Sequence, residues 1–238
     1  MSSSFNKSPG RTDSPHTAAY KAARAALRSC SPKITAHPAS KSFDLIKAAK
    51  KLTLPVKDRT IIFDGETEQA LLIDFYQIDY RPEGKSVLES CVFAAGELTP
   101  DEAEAHQAMA ASRTSLFEAI SVDTREPKIL LRDRLVPTAP ELWLTDIGLA
   151  SSIARLGKIL LFTRVIPLRG LHMTGGFSFV FEMKHESALI DGYRRALWSA
   201  PAAHHNHRRT IFFLDRHRRH GLEQAYADIM PPTTDPVE

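Results

Sequence analysis

Residues 158–181 read KILLFTRVIPLRGLHMTGGFSFVF, and this stretch decides the fold. Its apolar residues alternate instead of recurring at three and four, which is the period of a strand. Arg169-Gly170 interrupts the run with turn chemistry, and Gly175-Gly176 breaks it again before Phe177, Phe179 and Phe181 align on one face. Two strands are therefore expected, Lys158–Ile166 and Leu171–Phe181. Upstream, the same alternation predicts Leu116–Val122, Ile129–Val136 and Glu141–Ile147, separated by an Asp123–Pro127 turn and the loop Pro137–Pro140. Five short strands within residues 116–182 predict a small antiparallel β-barrel, SH3-like or OB-like, because closure removes the vulnerable edges of a sheet. Ser151–Gly157 reads as a short crossover, and Trp143 and Phe179 are expected to point inward.

The flanks have a helical period. Residues 16–115 are expected to be mainly helical. Thr17–Ser29 is alanine-rich, residues 31–41 with Pro32 and Pro38 read as a linker, and Phe43–Leu52 resumes as helix. Asp64 is the expected N-cap of a helix reaching Asp79, Ser86–Ala95 is another, and Thr99-Pro100 with Glu102 starts one that runs to about Arg113. Residues 183–230 form a C-terminal helical region expected to pack on the rest through Leu189, Ile190, Tyr193 and Leu197. Within it Thr210–Leu214 is too short to assign. Residues 1–15 and 231–238 read as tails. The class is α+β, a central barrel flanked by helices in one compact unit.

At 238 residues, with 43% apolar and 25% charged side chains, the chain suits one substantial core or two small ones. Cys30 and Cys91 show no metal-ligand spacing and exclude a disulfide scaffold, so a reducing, cytoplasmic setting is expected. No apolar run is long enough to span a membrane, and no signal-peptide core follows Met1. The basic, acid-poor segment through Cys30 also suits an organellar transit peptide; a tail followed by a surface helix is the plainer reading.

Formal charge is only +3, but it is unevenly spread. Residues 58–106 hold twelve acids against Arg59, Arg81 and Lys85, whereas 203–220 hold five histidines and five arginines against Asp215. Such asymmetry either orients a partner or joins two parts of one fold.

The basic stretch supplies the candidate ligand residues Arg208, Arg209, Arg216, Arg218, Arg219 and His217, joined by Arg169 and His172 from the barrel turn. Guanidinium groups suit phosphates and carboxylates. His204, His205, His207, His217 and His220 raise the question of a metal, but neighbouring arginines repel a divalent ion and no HExxH or paired-cysteine spacing occurs. No metal or other cofactor is expected. Asp133 and Asp146 lie in strands, where a buried carboxylate needs a partner. The reading is a noncatalytic binding or scaffolding protein whose basic C-terminal face recognises an acidic protein surface or a phosphate-rich ligand, nucleic acid being one such ligand. The alternative is a small hydrolase or metal-dependent enzyme using His172, Asp133 or Asp146, or a metal at His204 and His217.

Overall fold

The computed structural model describes residues 13–198 and 205–222. Most of the expected tail 1–15, all of 231–238, and His204 lie outside them. The chain opens with α1 (Pro15–Ala36), whose N-cap Ser14 hydroxyl accepts from the Thr17 amide. α1 continues through Pro32 into residues expected to be linker, and a 3-10 turn at Pro38–Ser42 follows. A proline removes one helical donor. Here Cys30 and Ile34, on either side of it, are fully buried, and the Gln77 amide group donates to the Ser31 carbonyl. Tertiary packing carries the helix past the proline.

Next come α2 (Leu45–Lys51), the small hairpin of β1 (Val56–Lys57) and β2 (Thr60–Ile61), and α3 (Glu66–Asp74), which runs into a π-helical turn at Phe75–Asp79. Gly65, not Asp64, is the N-cap of α3; the Asp64 amide instead donates to the Glu68 carboxylate. α4 (Val87–Ser90) and α5 (Pro100–Ala110) both begin with complete capping boxes, Ser86 with Glu89 and Thr99 with Glu102.

Then β3 (Arg113–Asp123), β4 (Lys128–Asp133), β5 (Leu142–Thr145), β6 (Ile159–Leu168) and β7 (Leu171–Glu182) close into a barrel in the order β3-β4-β5-β7-β6, with α6 (Ile147–Ile153) between β5 and β6. The barrel is mixed, not antiparallel throughout: β5 and β7 run parallel, pairing Leu144 with His172 and Thr145 with Met173. Parity requires this. Strand directions alternate around an antiparallel ring, so an odd number cannot close without one parallel pair. The α6 crossover and this seam match the OB-like arrangement of the two expected.

Phe117, Ile129, Leu131, Leu161 and Val180 fill the barrel interior, joined by Leu149 and Ile153 of α6. The residues between them in β6 and β7, Phe162, Phe177, Phe179 and Phe181, face outward and belong to the larger core beneath the helices. α7 (Glu186–Leu197) packs through Tyr193 against α8 (His205–His220), which covers this stripe with Phe213 stacked on Phe162 at 4.2 Å. The short Thr210–Leu214 run is the middle of α8, whose inner face is Thr210, Phe213, Leu214 and His217. Two inward placements are corrected. Phe179 is buried outside the barrel, because β7 is covered on both faces. Trp143 is 43% exposed on the uncovered face of β5, with the Lys128 ammonium over its ring.

Candidate functional site

α8 distributes the basic cluster around its circumference. Arg209 turns inward and donates to the Tyr193 hydroxyl at 2.8 Å and to the Thr114 carbonyl. Arg218 donates to Glu68 at 2.8 Å, Arg219 to Asp215 at 2.8 Å, and Arg208 to the Ala196 carbonyl at 3.3 Å. Arg216 lies over the Phe212 ring. His217 is stacked on Phe179 at 4.3 Å, and burial lowers its pKa, which keeps the ring neutral in the core. Arg169 occupies the β6–β7 turn and bonds Asp101 and Glu104 of α5. His172 sits half-buried opposite Leu144. Among the described residues, no hydrogen bond or ion pair joins the α8 set to Arg169 or His172.

Asp133 is held by Arg113, Ser115 and the Leu135 and Val136 amides. Asp146 bonds Arg24 rather than His172. Among the described residues, no group of three or more histidine, cysteine or acidic side chains is placed to hold a metal. Both cysteines are free and buried, and burial pushes each thiol up to about 11, far from a thiolate at neutral pH. The acidic stretch 58–106 receives Lys33, Arg164, Arg169 and Arg218 from elsewhere in the chain, so the uneven charge joins parts of one fold.

The arrangement best suited to a ligand lies elsewhere. A cleft of about 720 Å³ opens between α1 and α3 at the mouth of the barrel. Tyr20, Arg24, Leu27, Arg28 and Ser31 line one wall, a single stripe at helical spacing. Glu66, Gln69, Ala70, Ile73, Asp74 and Gln77 line the other, again one helical stripe. Met109, Leu149, Ile166 and the backbone of Thr174–Gly176 close the floor. The walls meet where the Gln77 amide group donates to the Ser31 hydroxyl and carbonyl at 2.9 and 3.0 Å.

Arg24 is fixed within the cleft. It donates to the Tyr20 hydroxyl at 3.0 Å, the Thr174 carbonyl at 2.8 Å, the Thr174 hydroxyl at 2.9 Å and the Asp146 carboxylate at 3.0 Å. Asp146 also caps α6 through the Leu149 amide, and burial followed by the Asp146 charge raises the pKa of Tyr20. Arg28, one turn further along α1, is exposed and has no hydrogen bond or ion pair among the described residues.

The chain belongs to DUF7986, a family of unknown function. The match covers residues 15–227, from the start of α1 to beyond α8. No curated protein and no solved structure matches the chain.

The acidic wall rests on a buried ion cluster. Arg164 of β6 donates to both Asp74 oxygens, at 2.9 and 2.8 Å, and to Asp79 at 2.5 Å. Asp74 and Asp79 bracket the π-helical turn, an irregularity often found at functional sites. Burial pushes the Asp74 carboxyl up to about 6, with Arg164 opposing it and Asp79 adding to it. A bulge in β7 makes room: Thr163 pairs with Ser178 and Val165 with Thr174, so Gly175, Gly176 and Phe177 all face Arg164. Gly176 has φ +111°, open to glycine and strained for other residues. The break expected at Gly175-Gly176 lines the same cleft as α1. The visible signal was the i, i+4 spacing of Tyr20, Arg24 and Arg28.

Proposed function

We propose that this protein is a noncatalytic binding protein that seats a small, partly apolar ligand in the cleft between α1 and α3. One observation carries the reading: a concave site of ligand size, with apolar side chains from three directions, presents Arg28 as a guanidinium with no partner among the described residues. Of the other polar groups, Arg24 bonds Tyr20, Thr174 and Asp146, Gln77 bonds Ser31, and Asp74 bonds Arg164, which suits a rigid seat. Catalysis finds less support, since Asp146 and Asp74 are each held by an arginine and both thiols stay protonated. The C-terminal basic face is the weaker seat for an acidic protein or phosphate-rich ligand, because its arginines bond or stack within the molecule.

Ala70→Trp, which fills the cleft from α3, tests the reading. Amphipathic acids, amines and zwitterions are screened by melting temperature against the wild type and this variant. Compounds that raise the melting temperature of the wild type alone are expected. Equal stabilisation of both proteins, or equal loss with Arg208→Gln/Arg219→Gln, moves the site out of the cleft.

A further inference from the structure

The two walls of the cleft carry opposite charge. The only charged residues α1 contributes are Arg24 and Arg28; the only ones α3 contributes are Glu66 and Asp74. Each wall keeps a surplus after its internal pairs are counted. Arg24 is matched by Asp146, which leaves Arg28 unmatched. On the other side two buried carboxylates, Asp74 and Asp79, share the single guanidinium of Arg164, leaving one negative charge in excess. Glu66 adds another, exposed and with no bond or ion pair among the described residues. A buried surplus charge calls for a counter-charge. Arg28 does not reach across: no ion pair joins it to Glu66 or Asp74.

Between the charged groups the surface is apolar, with Leu27 on one side and Ala70 and Ile73 on the other. A ligand that satisfies this arrangement has an anionic end, an apolar body and a cationic end. We infer that the cleft binds a zwitterion whose charges are separated by an apolar body, with its anionic group on Arg28 and its cationic group on the Glu66–Asp74 face. Short apolar peptides have this chemistry, and the cleft volume suits molecules of that size. The inference rests on the binding reading above and adds the chemical class of the ligand.

Calorimetric titration with leucyl peptides of two to four residues tests it, each peptide in three forms: zwitterionic, N-acetylated and C-amidated. The zwitterion of at least one length binds, and capping either end weakens it about tenfold, the scale of one lost charged hydrogen bond. Arg28→Gln removes the penalty for amidation and leaves that for acetylation. Glu66→Gln shrinks the penalty for acetylation and leaves that for amidation. Both residues are exposed, so neither change threatens the fold. Should acetylated peptides bind as well as zwitterions, or should no peptide bind while other amphiphiles are still blocked by Ala70→Trp, the zwitterion assignment falls and the cleft remains a binding site. If no amphiphile of any charge responds to Ala70→Trp, both readings fall.

Discussion

Gly175 lies so close to Asp74 that a Cβ added to it would stand 2.7 Å from the carboxylate Oδ1 and 3.0 Å from the Arg164 Cβ. The carboxylate cannot swing aside, because Arg164 grips both of its oxygens. Gly175→Ala is therefore expected to destabilise the fold by about 2 kcal/mol, the scale of overpacking in a filled interior. Urea unfolding of the variant measures this, and an unchanged midpoint would contradict the packing described.

The Asp74–Arg164–Asp79 cluster has a pH signature. Asp74 titrates near 6 in the folded protein, against an ordinary value of 3.8. Between those values the folded state holds more protons than the unfolded chain, so this group's contribution to stability falls as pH rises from about 4 to 6. Asp79→Asn keeps an oxygen for Arg164 but removes the second negative charge. Unfolding at pH 4.5 and 6.5 is expected to show that the variant gains stability over the wild type at the higher pH.

His217 has the opposite sign. Burial against Phe179 and Phe181 lowers its pKa from 6.5, opposed by the nearby Glu68 charge. Its contribution is present above pH 6.5 and is lost as pH falls below that value, because protonation favours the unfolded chain. His217→Leu is expected to flatten this acid limb. Urea midpoints at pH 7.5 and 5.5 should converge for the variant relative to the wild type.

The arginines of α8 should separate by burial. Arg209→Gln removes bonds to Tyr193 and to the Thr114 carbonyl and is expected to cost about 1–2 kcal/mol. Arg219→Gln loses one exposed pair with Asp215 and should change stability by less than about 0.5 kcal/mol. Thermal unfolding of the two variants distinguishes a structural helix face from a uniformly solvated one.

The barrel was legible because period-two alternation survives in β4, while β3 and β6 are short apolar runs between turn signals, and a two-residue turn at Arg169-Gly170 marks the hairpin. Which face pointed inward was not legible in β7. Covered on both sides, its Phe177, Phe179 and Phe181 alternate with buried Ser178 and Val180, so the pattern has no polar side to orient it. α8 lies within the helical region expected over 183–230, but its extent was not legible for a related reason: a four-residue inner face is set among so many charges that the apolar run looks too short. The cleft was least legible. Its two walls are lined by residues 35 or more positions apart in sequence, and only the fold brings Arg24 to Asp146 across 122 positions.

The parallel seam between β5 and β7 is the shortest join in the barrel, with two residue pairs ending at Thr145 and Met173. The next residue on each strand is Asp146 and Thr174, and Arg24 bonds both. α1 therefore acts as a clasp on a ring at the point where the ring is weakest. Loosening that clasp by Arg24→Gln is expected to accelerate amide exchange first at Thr145 and Met173, ahead of the long β3–β6 join. The same clasp borders the cleft, so an occupant that tightens α1 against Thr174 would register as slower breathing of the barrel, a mechanical readout of binding with no part of the ligand inside the ring.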